Sequence, residues 1–323
     1  MTVRGSFVFS ILTVAGMATS NASTALFTEH KICILGHDVL RKKAEPIKKF
    51  DDALKQRAER MFHVMEATGN GVGLAAPQIG CSEQLVVAQV KMPPLPKDFP
   101  EEQKEALRKK ILGLSKTIIL TDHTGKITTF KDIVQFGRFA FANPVVKPVG
   151  DTKTSSREGC LSLPGIMAEV PRYKEIVLSF RDLNKHECTL RCDGVLAQII
   201  QHETDHLNGI LYVDHISDLC VVGEMPVWKA FPDLYNKIKE LEDKKLTECK
   251  RKESKEEAER EGLEFKPSEK TFWISGEDNK GKALAIIKEI GGKNKILDYD
   301  TLLSQSETVN ESASSKAAKS ATR

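Results

Sequence analysis

The sequence has little net charge, no evident set of paired cysteines and no long apolar run. Its 48 Lys and Arg residues nearly cancel its 45 Asp and Glu residues, which leaves a formal charge of +3. So small a charge does not indicate binding to nucleic acid or to a membrane surface, and we predict no nucleic-acid partner. Hydrophobic residues make up 40% of the chain, a low fraction for a fully packed protein. They are dense in residues 32–222, where we expect the core.

The seven cysteines do not suggest a disulfide framework, because their number is odd and their spacing is irregular. They indicate a reducing compartment instead. Cys188 and Cys192 could form half of a zinc site, but the segment around them alternates like a strand. No second Cys/His pair has zinc-finger spacing. We therefore interpret these two cysteines as structural.

Residues 1–28 differ from the rest of the chain, because the first acidic residue is Glu29. An apolar run at residues 7–16 precedes a stretch of small and hydroxyl-bearing residues. The run is too short to span a bilayer comfortably, so we predict a removable targeting segment and no stable membrane insertion. The composition fits a secretory signal as well as an organelle transit peptide, and a transmembrane anchor is a further alternative.

Apolar periodicity predicts two main helices and several short strands. The first helix, at residues 51–68, has apolar residues at helical spacing, and Asp51 or Asp52 can cap its start. The second helix, at residues 195–207, follows Asp193 as its candidate cap. The strand candidates are residues 84–90, 139–146, 166–170, 176–182 and 188–192. We predict an α+β fold in which mostly antiparallel sheets surround the second helix, a central one.

A His-Glu-x-x-His pattern lies in the second predicted helix, at His202, Glu203 and His206. Histidines four residues apart project from one face of a helix, so both imidazoles can bind one cation. In such sites the glutamate takes a proton from metal-bound water. The alternative is two surface histidines with a carboxylate between them, since patterns this short also occur by chance.

A metal site of this kind needs a third protein ligand and an open position. The extended pattern of some metalloproteases requires histidine where this chain has Tyr212. Glu224 is another candidate, although its surroundings are not helical. Cys160, in the Gly- and Pro-containing segment 158–164, is a better one, because a thiolate is a strong ligand for divalent metals. A cysteine alone is more often a buried apolar residue, but the accompanying histidine pair reverses that preference.

A third segment, residues 71–80, contains glycines that allow close backbone approach, together with the side-chain amide of Gln78. Gly71 and Gly73 form a Gly-x-Gly pattern like that of nucleotide-binding loops. However, the segment follows a predicted helix and lacks the other residues of a phosphate-binding fingerprint. Together with segments 158–164 and 201–209, in this order, it resembles the peptide deformylase family. The resemblance covers roughly residues 30–220.

The resemblance implies that Cys160, His202 and His206 hold one divalent cation, with water at the fourth position. Ferrous iron is favoured as the working metal, and zinc, nickel or cobalt are able to occupy the site. Glu158 is expected to pair with Arg172 and so to brace the loop that carries the cysteine.

The resemblance also assigns catalytic and substrate-binding roles. Glu203 would take a proton from water and later give it to the leaving amine. The Gln78 side-chain amide and the Leu161 backbone N–H would stabilise the oxyanion. The substrate backbone would pair with a strand edge, and its methionine side chain would enter an apolar pocket. The residues implied are Val72 and Gly73 at the edge, and Leu161 and Ile199 in the pocket.

With this resemblance the chain divides into a targeting segment at 1–28, a catalytic domain at 29–225 and a charged, partly helical and partly disordered extension at 226–323. Residues near 92–133 form an insertion relative to compact family members. The predicted activity is hydrolysis of the N-formyl group from the formyl-methionine of nascent polypeptides, with release of formate. Formyl-methionine arises where bacterial-type translation runs. We therefore expect the mitochondrion, with a plastid or similar organelle as the alternative, and association with the ribosome.

Two other hypotheses remain at this point. A different His-Glu-x-x-His metallopeptidase would use Glu224 rather than Cys160 as its third ligand. A non-enzymatic descendant would use its basic tail to bind a ribosome or another protein. Intact Glu203 and Gln78 argue against this second alternative, since a binding protein has no need of both.

Overall fold

The computed structural model describes residues 31–68, 71–90, 102, 114–216, 240, 277–290 and 296–298. The predicted targeting segment, much of the insertion and most of the C-terminal extension lie outside these residues, and so does Glu224. Among the residues that the structure describes, no helix is long and apolar enough to cross a membrane.

The helices agree with the two main helices expected from the sequence. They are α1 at Asp52–Ala67, the single turn α2 at Ile133–Phe136, α3 at Gly194–Leu207 and α4 at Glu277–Ile290. Short 3-10 turns lie at Asp38–Arg41, Ala76–Ile79 and Tyr212–His215. The Asp51 carboxylate accepts a hydrogen bond from the Leu54 N–H at 3.1 Å and so caps α1 as expected.

The strands form antiparallel sheets, which confirms the predicted α+β fold class. They are β1 at Lys31–Cys33, β2 at Gly73–Ala75, β3 at Leu85–Gln89, β4 at Ile118–Thr121, β5 at Ile127–Thr129, β6 at Arg138–Pro148, β7 at Lys153–Cys160, β8 at Leu163–Tyr173, β9 at Glu175–Arg181, β10 at Glu187–Asp193 and β11 at Ile296–Asp298. One seven-stranded sheet has the order β2-β3-β6-β9-β10-β4-β5. β7 pairs with β8, and β1 pairs with β11, each in a separate two-stranded sheet.

The helix α3 packs its apolar face against the core of the seven-stranded sheet. Leu196, Ala197, Ile200 and Leu207 recur at helical spacing, are at most 2% exposed, and share one core with residues of the sheet. Cys192 is fully buried in the same core, as its structural interpretation requires. Burial of each large apolar side chain contributes about 1.5–3 kcal/mol. This packing therefore holds in place the helix that carries both histidines.

The N terminus of α3 is capped by a residue that the sequence did not indicate. Asp193 makes no cap hydrogen bond, and its carboxylate accepts from the backbone N–H groups of Lys116 and Thr117 at 2.7 and 2.9 Å. Ser115 provides the cap, because its Oγ accepts from the Leu196 N–H at 3.1 Å and donates to the Asp193 carbonyl at 2.9 Å. Asp193 lies at the N-cap position as predicted, but the expected capping by its side chain is wrong, since the capping hydroxyl comes from 81 residues upstream.

Replacing Ser115 with alanine is expected to lower the free energy of unfolding by about 1 kcal/mol, the usual contribution of a helix cap. Equilibrium urea unfolding measures this change. Ser155→Ala, at an exposed position of β7, is the matched control and should change the free energy by less than about 0.5 kcal/mol. Equal stabilities of the two variants would show that the Ser115 hydroxyl contributes nothing.

Parts of the predicted insertion and of the predicted C-terminal extension are built into the same fold. The strands β4 and β5 come from the insertion near 92–133, and β4 pairs with β10 at the sheet. The strand β11 comes from the extension and adds to β1. The helix α4 buries Ala283 completely in a cluster that includes Leu211. The predicted insertion and the predicted extension therefore both contribute to the packing.

Candidate metal centre

Three potential metal ligands from two distant parts of the chain meet at α3. The Cys160 Sγ and one ligand nitrogen each of His202 and His206 all lie within 4.8 Å of one another. His206 Nε2 is 3.2 Å from the sulfur, and the two histidines are 8% and 1% exposed. Within the described part of the chain, no other group of three His, Cys, Asp or Glu side chains is close enough to hold one ion.

The turn between β7 and β8 places the Cys160 sulfur. The strand pairing shifts register between Gly159 and Cys160, and the Ser162 N–H lies 3.4 Å from the sulfur as a donor. His202 and His206 are one helical turn apart on α3, so their ring centroids are 5.1 Å apart. The turn after β7 therefore places the sulfur, and one face of α3 places the two imidazole rings, at the same site.

A buried chain of charges orients His202. Its Nδ1 lies 2.9 Å from Glu158 Oε2, and Arg172 donates to both oxygens of the same carboxylate at 2.8 and 2.9 Å. Burial disfavours the ionised carboxylate, but the hydrogen bonds from His202 and Arg172 outweigh burial and lower the pKa of Glu158. The carboxylate therefore fixes Nδ1 and leaves the other ring nitrogen available to a ligand.

The two histidines have opposite pKa shifts. Burial lowers the pKa of His206 well below its ordinary value, and the nearby charge of His202 lowers it further. Burial also disfavours a charged His202, but hydrogen bonds to Cys160 and Glu158 raise its pKa well above the ordinary value. Since a ligating imidazole must be neutral, a cation at this site would take the place of the His202 proton.

Glu203 has the environment of a general base. Its side chain is 5% exposed, and its Oε2 has no hydrogen-bond partner among the described residues. Burial raises the pKa of the carboxyl group to about 7. A carboxylate whose pKa lies near the working pH exchanges protons efficiently with a reacting group.

The Gln78 side chain is held in one orientation beside the cysteine. Its Oε1 accepts from the Ala75 N–H at 2.8 Å, and its Nε2 lies 3.3 Å from Ser162 Oγ and 3.5 Å from Cys160 Sγ as a donor. Leu161, between the cysteine and the serine, is half-buried. The structure therefore brings the Gln78 amide to the turn that contains the Leu161 backbone, and these are the two groups predicted to donate to an oxyanion.

The predicted substrate edge passes directly beside the predicted base. The strand β2 is the edge of the seven-stranded sheet, and Val72, just before it, is 41% exposed. A Cβ added at Gly73 would lie 2.5 Å from Glu203 Oε1 and 2.8 Å from Ile199 Cγ2. The backbone can approach these side chains this closely only because residue 73 is a glycine.

Replacing Gly73 with alanine is expected to lower kcat/KM by roughly 10- to 100-fold, because the added methyl group displaces the base. Steady-state kinetics with metal content determined on the same samples measures this effect, and the metal content should stay unchanged. Gly281→Ala is the control, since an added Cβ there has no atom within 4 Å. Wild-type kinetics of the Gly73 variant would contradict the close approach.

The sequence did not single out three residues that surround this site. Asp205 accepts a hydrogen bond from Arg172 through its Oδ2, which also lies 2.7 Å from His215 Nε2. The buried Ser162 hydroxyl accepts from Gln78. The spacing of Asp205 within the helix could have indicated it. Nothing local indicates His215, because 43 residues separate it from Arg172.

The polypeptide deformylase family model matches residues 29–221, which is more than half of the chain. This chain belongs to the peptide deformylase family. The candidate ligands, the candidate base and Gln78 all lie within the matched residues. The deformylase is therefore an enzyme, and the non-enzymatic alternative is not supported.

Proteins similar to this chain include bacterial peptide deformylases. A peptide deformylase of Prochlorococcus marinus (strain AS9601) is 35% identical over 183 residues, which cover 57% of this chain and 71% of the relative. One of Opitutus terrae is 38% identical over 179 residues, which cover 55% and 80%. A crystal structure of the Synechococcus elongatus peptide deformylase in complex with actinonin covers 57% of this chain and 77% of its own, with 30% identity and a TM-score of 0.42.

The donor set of the deformylase fits a divalent cation. One thiolate and two imidazoles are the ligands that zinc, iron and similar metals take in proteins, and three protein ligands leave a position open for chemistry. The sulfur of Cys160 lies where the third ligand is needed. The alternative ligand, Glu224, lies outside the described residues.

Proposed function

We propose that this protein is a metal-dependent hydrolase that removes the N-formyl group from the formyl-methionine of nascent polypeptides and releases formate. The observation that carries the proposal is that the Cys160, His202 and His206 ligand atoms lie within 4.8 Å of one another, beside the helix that carries Glu203. The membership of the chain in the peptide deformylase family supports the choice of substrate.

Each reacting atom has a residue suited to it. When bound, the cation would supply positive charge that acidifies a water molecule and polarises the formyl carbonyl. Glu203 accepts a proton from the attacking water and donates it to the departing amine nitrogen. The Gln78 Nε2 and the Leu161 N–H donate hydrogen bonds to the formyl oxygen as it gains negative charge.

The substrate backbone is expected to add to the free edge of β2, at Val72 and Gly73. Main-chain hydrogen bonds of this kind depend little on the side chains of the peptide, which suits an enzyme that must accept many nascent chains. The methionine side chain would contact Leu161 and Ile199, of which Ile199 is buried and lies against Gly73.

We propose ferrous iron as the working metal, with zinc, nickel or cobalt able to occupy the same ligands. A mixed sulfur and nitrogen donor set accepts all four metals, and the family resemblance favours iron. Anaerobic purification followed by metal analysis tests this choice. A protein that carries only zinc under anaerobic conditions would contradict it.

The activity is tested with the full chain, purified anaerobically and loaded with each metal in turn. A formyl-methionyl peptide should yield formate and a free amine in equal amounts. The matched acetyl-methionyl peptide, which differs by one methyl group, should react far more slowly. A metal-loaded protein that releases no formate would contradict the proposal. Cleavage of internal peptide bonds would instead favour a metallopeptidase.

We further propose a mitochondrial location, with a plastid as the alternative, and association with the ribosome. The absence of acidic residues before Glu29 supports an organelle targeting segment. A fluorescent protein fused after residue 30 should enter the organelle, and diffuse cytosolic fluorescence would contradict this. Cosedimentation with organelle ribosomes tests the association.

A further inference from the structure

The helix α4 of the C-terminal extension is part of a buried apolar cluster that borders the metal centre. Ala283 is fully buried in this cluster, and Leu284 and Ile286 pack against it. The cluster also contains Tyr212, and Cys160 packs against its margin. Residues outside the compact family core therefore lie behind the candidate ligands.

Tyr212 connects this cluster to the ligand His202. Its ring is 1% exposed and stacks on the His202 ring, with centroids 5.7 Å apart and an angle of 25° between the planes. Its hydroxyl donates to the Ile166 carbonyl at 2.9 Å. The position of Tyr212 therefore limits the rotation of the histidine ring.

The same 3-10 turn ends at His215, which lies at the outer end of the charge chain behind His202. His215 Nε2 is 2.7 Å from Asp205 Oδ2, and Asp205 accepts a hydrogen bond from Arg172. The helix α4 contacts the residue that follows this turn, because Lys280 Nζ donates to the Ile216 carbonyl at 2.5 Å. A displacement of α4 would therefore shift His215 and, through it, Asp205, which accepts a hydrogen bond from Arg172.

The helix α4 also contacts the segment that is hydrogen-bonded to the turn carrying Cys160. A Cβ built at Gly36 would lie 3.1 Å from Lys288 Cγ, so the helix fits closely over this glycine. The preceding residue, Leu35, donates its N–H to the Ser162 carbonyl at 2.9 Å. Ser162 in turn donates its N–H toward the Cys160 sulfur.

We propose that α4 is a positioning element of the metal centre, which fixes His202 through Tyr212 and His215 and fixes Cys160 through Leu35. This inference rests on the proposed metal-dependent function. The extension would then complete the ligand geometry from outside the compact family core. Outer partners of this kind typically change metal affinity by roughly 10- to 100-fold when they are lost.

A pair of matched variants of the full chain tests this role. Ala283→Glu places a charge in the buried face of α4, which is costly, whereas Ala285→Glu places the same charge on its exposed face. We expect Ala283→Glu to weaken Zn²⁺ binding, measured against a competing chelator, by roughly 10-fold or more. Its Co²⁺ form should show an altered thiolate-to-cobalt absorption band, and Ala285→Glu should match the wild type in both measurements.

A second pair of variants covers the case in which Ala283→Glu fails to fold, as circular dichroism would show. Lys280→Ala removes the hydrogen bond to Ile216 together with one positive charge, and Lys282→Ala, which removes the same charge at an exposed position, is its control. A shifted cobalt band in the Lys280 variant alone would support the proposal. Unchanged Zn²⁺ affinity and cobalt spectra in the folded α4 variants would overturn it and leave the proposed function intact. A wild-type protein that binds neither metal would overturn both.

Discussion

Replacing Glu203 with glutamine is expected to lower kcat by roughly 10²- to 10⁴-fold, the usual contribution of a general acid–base group. Glutamine has nearly the same shape but cannot accept a proton from water. The three candidate ligands do not include Glu203, so metal content should stay at the wild-type level. Steady-state kinetics and metal analysis of the same preparation measure both quantities.

Glu169→Gln, at an exposed position of β8, is the matched control and should leave kcat unchanged. Unchanged kcat in the Glu203 variant would remove this residue from the mechanism. Loss of metal in that variant would mean that Glu203 acts as a ligand rather than as a base.

The pH dependence of kcat/KM tests the role of Glu203 as a base independently. Burial raises the pKa of Glu203 to about 7 in the absence of a cation, and a nearby cation lowers the pKa of a carboxyl group. A base must be deprotonated to act, so kcat/KM of the metal-loaded enzyme should fall as the pH drops through a pKa below about 7. The glutamine variant should lack this acidic limb.

The helix and its histidines could be predicted from sequence because their geometry is local. Two residues four apart share one face of any α-helix, so the proximity of His202 and His206 could be predicted without knowledge of the fold. The α1 cap at Asp51 is equally local, since it serves an N–H three residues ahead. Cys160 could be chosen as a candidate ligand from the chemistry of its thiolate, but its position beside His206 could not be derived locally, because 46 residues separate the sulfur from the His206 nitrogen.

The features that sequence could not supply are contacts between distant segments. Asp193 directly precedes α3, whereas Ser115 is distant from it in the sequence. The pairing of β4 with β10 brings Ser115 to the N terminus of the helix, where its hydroxyl provides the cap. The stacking of Tyr212 on His202 depends on how the chain turns after α3. The addition of β11 to β1 pairs strands that are more than 250 residues apart in the sequence. No periodicity within a segment encodes such contacts.

Replacing Cys160 with alanine is expected to abolish both metal binding and deformylation. The remaining two imidazoles cannot complete a three-ligand site, and the sulfur is the donor that lies 3.2 Å from His206 Nε2. Metal content by elemental analysis, together with formate release, measures the two losses. Oxidation of the wild-type thiolate should remove metal and activity in parallel, since an oxidised sulfur is no longer a thiolate ligand.

Two control variants make this result specific. Cys81→Ala alters a half-buried free cysteine away from the three ligands and should retain metal and activity. Glu224→Ala removes the third ligand that a metallopeptidase of this pattern would need. If Glu224→Ala lost metal while Cys160→Ala kept it, the sulfur would not be a ligand and the proposed centre would be wrong. Because the Cys160 sulfur already lies beside both imidazoles, we expect the opposite pattern: metal lost with Cys160 and kept without Glu224.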